Sequence, residues 1–156
     1  MSKRKKVKAP SNTALIQTAT TWFTDQGWTP FPFQKKAWRS YLKGESGLVN
    51  APTGSGKAYS LIIPIFLEFL RSQAANPQKK NNGLQAIWIT PIRALTREIQ
   101  YAAQRAAEDL GLNWEIGIRS GDTSSSERSR QIKKPPELLI TTPESLHLLL
   151  ASKGRD

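Results

Sequence analysis

The densest chemistry in the chain lies in Ala51-Pro52-Thr53-Gly54-Ser55-Gly56-Lys57. Gly54 and Gly56 permit backbone turns closed to other residues, so successive N–H groups can converge on an anion. The apolar run opening at Lys57 reads as a helix, whose N-terminus adds a partial positive charge. Lys57 supplies a mobile point charge that can reach outer phosphates. Together these residues form a phosphate cradle; a plain strand-to-helix turn needs neither the lysine nor the second glycine. The chain has no cysteine and a single histidine, His147. Thiolate catalysis, disulfides and Cys-ligated zinc are excluded, and His-based metal sites or triads have almost nothing to build on. No metal-ligand set is read.

The elements that must position the cradle follow from periodicity. Asn12 can cap a helix to about Asp25 with Leu15, Ile16, Ala19, Trp22 and Phe23 at helical spacing, stopped by Gly27. A second helix covers Phe33 to Leu42. Gly47 to Asn50 reads as a short strand, Lys57 to about Ala74 as a buried helix, and Asn76 to Gly83 as a surface loop. Gln85–Thr90, Trp114–Ile118 and Leu138–Thr141 read as strands. Ile92–Leu110 and Pro143–Ala151 read as helices, the latter with Thr142 as cap and Pro143 at its first position. Ser124 to Lys133 is polar and ambiguous. The alternation implies an α/β fold, a parallel sheet with covering helices, whose ligands sit at the carboxyl ends of the strands. Each motif loop is expected to follow a strand and lie on that edge.

With 156 residues the chain has room for one domain. Lys and Arg number 23 against 12 Asp and Glu, a net charge of +11 that favours a polyanionic partner. Residues 1–10 carry Lys3, Arg4, Lys5, Lys6 and Lys8, a basic tail expected to be disordered and either solubilising or a nucleic-acid arm. The longest apolar stretch, Leu61 to Leu70, falls short of the ~20 residues that cross a bilayer, and no signal-peptide core follows the basic start. The cysteine-free composition fits a reducing cytoplasm.

Spacing and context of the cradle match the P-loop of nucleotide-binding proteins. In that loop the lysine is followed by Ser or Thr, whose hydroxyl binds Mg²⁺. Here the residue is Ala58. Mg²⁺-nucleotide binding is expected to be weakened and hydrolysis impaired, with Ser55 and Ser60 as alternative hydroxyls.

Further segments complete a pattern. Gln34 lies 17 positions before Ala51, within Phe31-Pro32-Phe33-Gln34. Thr90-Pro91-Ile92-Arg93-Ala94-Leu95 follows the second strand, Ser120-Gly121-Asp122-Thr123 the third, and Thr141-Thr142-Pro143-Glu144-Ser145-Leu146 the fourth. Over about residues 12 to 152 the chain resembles the first RecA-like domain of superfamily-two DEAD/DEAH-box helicases. The phrase Trp22-Phe23, Gly27-Trp28-Thr29-Pro30-Phe31, Phe33-Gln34, Trp38 and Ser46-Gly47-Leu48 is most similar to bacterial ligase-associated helicases and their large helicase-related kin.

The resemblance implies a P-loop RecA-like fold over residues 11–156, with ATP held by Gln34, Ala51, Pro52, Thr53, Gly54, Ser55, Gly56, Lys57 and Ala58. Gln34 would read adenine, since an amide donates and accepts at once; Phe31 or Trp28 could stack on the base. Lys57 would be the catalytic cation. Pro91, Arg93 and Ala94 would match motif Ia and touch nucleic-acid phosphates, although Ile92 replaces the usual Thr. Gly121, Asp122, Thr142, Pro143 and Glu144 would line further strand-gripping loops. For each of these loops, ordinary caps, turns and solvated charges are the competing reading. Trp88 reads as core, His147 as a surface or packing residue, and Arg128 and Arg130 as a solvated charge patch.

The family's acidic Asp-Glu motif, its later motifs and the second RecA-like domain with its arginine fingers are not found in the chain up to Asp156. The chain is therefore expected to be the N-terminal portion of an ATP-dependent DNA helicase or translocase, inactive alone, with exposed strand edges that favour marginal stability or aggregation. The alternative is a non-enzymatic nucleotide- and nucleic-acid-binding module with a degenerate P-loop. A different P-loop enzyme, such as a small kinase, is disfavoured by the ordered flanking motifs. DNA is preferred over RNA only through the resemblance.

Overall fold

Ser11 opens the first helix, α1 (Asn12–Asp25): its hydroxyl accepts the Ala14 N–H at 3.2 Å. The cap therefore sits one residue ahead of the expected Asn12. Asn12 instead accepts a hydrogen bond from the Arg71 guanidinium at 2.7 Å, tying α1 to the third helix. The computed structural model describes residues 8–77 and 83–153, which fall into two units, residues 1–80 and 81–156. Most of the basic tail and the centre of the predicted Asn76–Gly83 loop lie outside the described residues.

The first unit holds α1, α2 (Pro32–Leu42) and α3 (Lys57–Ala75). Leu15, Ala19, Trp22 and Phe23 of α1 are buried, as are Trp38 and Leu42 of α2 and Ile62, Ile63, Phe66 and Leu67 of α3. The Trp38 indole N–H donates to the Tyr59 carbonyl at 3.1 Å, so the tryptophan is satisfied as well as buried. Arg71 also donates to the Leu42 carbonyl at 3.3 Å, which holds the end of α2 on α3.

The expected strand at Gly47–Asn50 does not form. Its apolar residues suit a strand, but a strand exists only by sharing a ladder, and the described part of this unit contains helices alone. Leu48 is consequently 93% exposed. The cradle thus opens a helix without following a strand.

The second unit contains β1 (Ala86–Ile89), α4 (Ala94–Asp109), β2 (Ile116–Arg119), α5 (Ser125–Lys133), β3 (Leu138–Thr141) and α6 (Pro143–Lys153). Its parallel sheet has the order β1-β3-β2, with Ile87 opposite Leu139 and Gly117 opposite the same residue. All of β3 is buried, as a central parallel strand must be. Trp88 lies on the edge strand β1 and is half-buried, not core as the sequence suggests, while Ile87 and Ile89 on the opposite face are exposed. The ambiguous segment is α5, whose N-cap Ser124 accepts the Glu127 N–H at 3.2 Å.

The β2 edge is not left bare. The Gln100 amide of α4 donates to the Ile116 carbonyl at 2.8 Å, and the Gln131 amide of α5 donates to the Ile118 carbonyl at 3.0 Å. These carbonyls alternate with Glu115, whose carbonyl bonds to β3, so they face away from the sheet. Gly117 faces Pro136, which leaves no room for a larger residue: an added Cβ would lie 2.9 Å from the proline ring. Among the described residues no helix is long and apolar enough to cross a membrane.

Trp38→Ala removes the largest fully buried side chain and its hydrogen bond. It is expected to lower the stability of the first unit by about 3–5 kcal/mol, measured as a shift in urea midpoint; a loss below about 1 kcal/mol would refute the packing described.

Candidate functional site

Gly54 and Gly56 both have φ of 78°, in the left-handed region. Between them the Ser55 N–H and hydroxyl both donate to the Pro52 carbonyl, at 3.3 and 2.5 Å. Gly56 is the N-cap of α3, with ψ of 29° and no side-chain cap. The first N–H groups of α3 therefore have no partner within their helix and stand at the turn where the helix start is positive. Lys57 is exposed at that mouth, and Ala51, Pro52 and Thr53 lead into it. The donor set fits a phosphate group: left-handed glycines, a helix start and a cation.

Gln34 forms the wall of this cradle. It is 2% exposed, its Oε1 accepts the Phe31 N–H at 2.8 Å, and its Nε2 donates to the Gly56 carbonyl at 3.0 Å. Gln34 is thus not the surface residue of the competing reading but a buried one bonded to Gly56. One N–H and one lone pair of the amide are left for a ligand. Gly56 cannot carry a side chain, because a Cβ there would lie 2.7 Å from Gln34 Nε2.

A cavity of about 350 Å³ adjoins the cradle, lined by Trp28, Phe31, Gln34, Gly54, Gly56 and Tyr59 among others. Trp28 is 39% exposed and Phe31 54%, so both aromatic candidates have ring surface to offer. Tyr59 carries no motif signal in the sequence; it lies two residues beyond Lys57, and its ring packs 5.5 Å from that of Trp28.

The magnesium position fits poorly. Ala58 presents a methyl group where a hydroxyl is expected, and the alternative hydroxyls each donate to a main-chain carbonyl. Ser55 donates to Pro52, and Ser60, fully buried, donates to the Lys57 carbonyl at 2.5 Å. Among the described residues no cluster of His, Cys, Asp or Glu could hold a metal ion.

In the second unit the loops after β1, β2 and β3 share the carboxyl edge of the sheet. Arg93, beside Pro91 and Ala94, reaches across the bare Gly121 and pairs with Asp122 at 3.2 Å. A Cβ on Gly121 would sit 2.2 Å from the Arg93 guanidinium, so with a larger residue there the exposed arginine would have to shift. Thr123 braces the loop: its hydroxyl accepts the Ser120 N–H at 2.9 Å and donates to the Ile118 carbonyl at 3.2 Å. Thr142 accepts the Ser145 N–H at 3.4 Å and caps α6, with Pro143 and Glu144 exposed in its first turn. His147 is exposed on α6.

Arg130 lies exposed at the surface, as the charge-patch reading has it, whereas Arg128 is half-buried. Arg130 bonds to Glu127 at 2.7 Å and makes a short contact with Glu115. Hydrogen bonding from Arg130 holds the Glu127 carboxyl below its ordinary range, and the two carboxylates push the guanidinium upward. Arg128 donates to the carbonyls of Ser120 and Gly121 at 2.9 and 3.4 Å.

A glycine cradle opening an apolar helix, followed by a parallel sheet with polar loops on its carboxyl edge, defines a RecA-like P-loop domain. The chain belongs to the DEAD/DEAH box helicase family, whose model matches residues 31–155. It is 37% identical over 145 residues to the Lhr helicase/probable uracil glycosylase of Mycolicibacterium smegmatis, covering 86% of this chain and 9% of that protein. It is 33% identical to the Escherichia coli Lhr helicase/uracil glycosylase, covering 86% of this chain and 10% of the other. The chain thus spans about a tenth of these curated relatives. Mycobacterium smegmatis Lhr bound to single-stranded DNA and AMP-PNP superposes with a TM-score of 0.66 at 38% identity, over 91% of this chain and 18% of that one. The helicase MrfA bound to DNA and AMPPNP gives 0.67 at 25% identity, over 88% and 18%.

Gly56→Ala combines a forbidden φ with a clash on Gln34. It is expected to destabilise the first unit by more than about 1 kcal/mol and to abolish nucleotide-analogue binding; a variant that binds normally would show the cradle to be wrongly described. Glu127 has a lowered folded pKa, so its contribution to stability is complete above the ordinary carboxylate range and disappears as pH falls through the lowered value. The difference in urea midpoint between the native chain and Glu127→Gln is expected to be full at neutral pH and to vanish in strong acid. A difference independent of pH would contradict the Arg130 pairing.

Proposed function

We propose that residues 11–156 form part of one helicase ATP-binding domain, preceded by a basic tail, and that the chain binds ATP and a nucleic-acid strand. The observation that carries this reading is the paired left-handed glycines, Gly54 and Gly56, walled by the buried Gln34 amide. The family match across residues 31–155 supports treating both units as one functional domain. Gln34 and the aromatic cavity take the adenine end, residues 51–57 wrap the phosphates, and Lys57 neutralises the outer ones. Arg93, Ala94, Gly121, Asp122 and the Thr142-Pro143-Glu144 turn follow a nucleic-acid backbone, supported by their shared edge and the net charge of +11. DNA is preferred because the Lhr and MrfA structures hold DNA. In the longer protein a second RecA-like domain would couple hydrolysis to movement along the strand. The cysteine-free composition supports a cytoplasmic setting.

Ala58 favours a second reading of the chain as it stands: a module that binds nucleotide and strand without turnover. With a methyl at position 58, the hydroxyl expected to bind Mg²⁺ is missing.

A fluorescent ATP analogue titrated at saturating Mg²⁺ tests both. Lys57→Ala is expected to weaken binding about tenfold or more, and Ala58→Thr to tighten it. Equal dissociation constants for the native chain and the Ala58→Thr variant would refute the metal argument, and no binding at all would refute the nucleotide reading. DNA-stimulated phosphate release by the native chain would overturn the second reading.

A further inference from the structure

Arg119 and Arg128 stand together at the carboxyl end of β2, where the sheet hands over to the Ser120–Thr123 loop. The Arg119 guanidinium donates to the Arg128 carbonyl at 3.3 Å, and Arg128 reaches back to the Ser120 and Gly121 carbonyls at 2.9 and 3.4 Å. Both residues are partly buried. Among the described residues every acceptor they have is a neutral main-chain oxygen, and no carboxylate lies within salt-bridge distance of either. The nearby acids are engaged elsewhere: Asp122 with Arg93, Glu127 and Glu115 with Arg130. The Arg128 Nε is buried with no partner among the described residues. Burial and the neighbouring Arg128 charge both lower the pKa of Arg119, the signature of a cation short of counter-charge.

Two half-buried like charges without an anion are unfavourable, and folds normally pair them. Here the arrangement is held open by the loop that also carries Gly121 and Asp122. We propose that Arg119 and Arg128 form an anion site for one phosphodiester of the bound nucleic-acid strand, next to the phosphate that Arg93 takes when it leaves Asp122. The inference rests on the nucleic-acid reading above and adds two residues to it. Arg128 plays a double part, shaping the loop through two carbonyl contacts and charging the site; Arg119 brings charge and a single bond to the Arg128 carbonyl.

The test uses the full chain and a fluorescein-labelled single-stranded DNA, with anisotropy titrations across a range of KCl. Arg119→Gln and Arg128→Gln are each expected to weaken binding about tenfold, the lower range for a charge-assisted contact. Each should also flatten the slope of log affinity against log salt by about 0.7. Arg119→Lys keeps the charge and should keep the slope, which a merely structural role would not. Lys134→Gln, exposed beyond the end of α5, lowers net charge equally and should bind as the native chain does. Since Arg128→Gln can disturb the loop, Arg119→Gln decides. Native affinity and slope in Arg119→Gln, with binding weakened in Arg93→Gln, would overturn this site alone. Equal losses in Lys134→Gln and Arg119→Gln would reduce it to overall charge and overturn it too. Failure of the native chain to bind the strand would remove the nucleic-acid reading, and this inference with it.

Discussion

The side-chain amide of Gln34 is sealed from water, and each of its ends is bound to main chain. One end closes the start of α2 on Phe31; the other grips the carbonyl of Gly56. A buried amide that lost either partner would cost about 1–3 kcal/mol, so the two segments it joins are fixed relative to each other. Those segments are the aromatic turn before α2 and the phosphate loop before α3. The requirement for glycine at position 56 has a second source here: the backbone turn demands it, and the amide occupies the space a Cβ would need. The aromatic turn and the glycine loop are thereby joined through one side chain.

The loops of the second unit are organised by a different means. There the side chains of Arg93, Thr123 and Arg128 hold the Ser120–Thr123 turn from three directions, and Gly121 admits the arginine that crosses it. The turn is short and braced mainly through carbonyl oxygens. Such bracing leaves the Arg128 charge without a carboxylate partner among the described residues.

Much of this is legible in the sequence, for identifiable reasons. The helices with an apolar stripe, α1, α3 and α4, declare themselves by spacing, and the cradle by its glycines and lysine. α5 does not, because it buries only Gln131 and its Ile132 is 48% exposed; its Ser124 cap with Glu127 three residues on is the available signal. Gly47–Asn50 misleads because apolar composition reports propensity, whereas a strand is completed by a neighbour elsewhere in the chain. Arg128 looks like surface charge because its partners are main-chain oxygens, which no residue type announces. Tyr59 escapes notice because its place beside Trp28 follows from the phase of α3 and not from any motif.

The glutamines of α4 and α5 that bond to β2 give the sheet a direction of growth. With the Ile116 and Ile118 carbonyls already occupied, no incoming segment can dock on that flank without first displacing two amides. The flank formed by β1 has no such guard among the described residues. A further strand pairing with this sheet would meet the open main-chain edge of Ala86–Ile89 and make β1 an interior member.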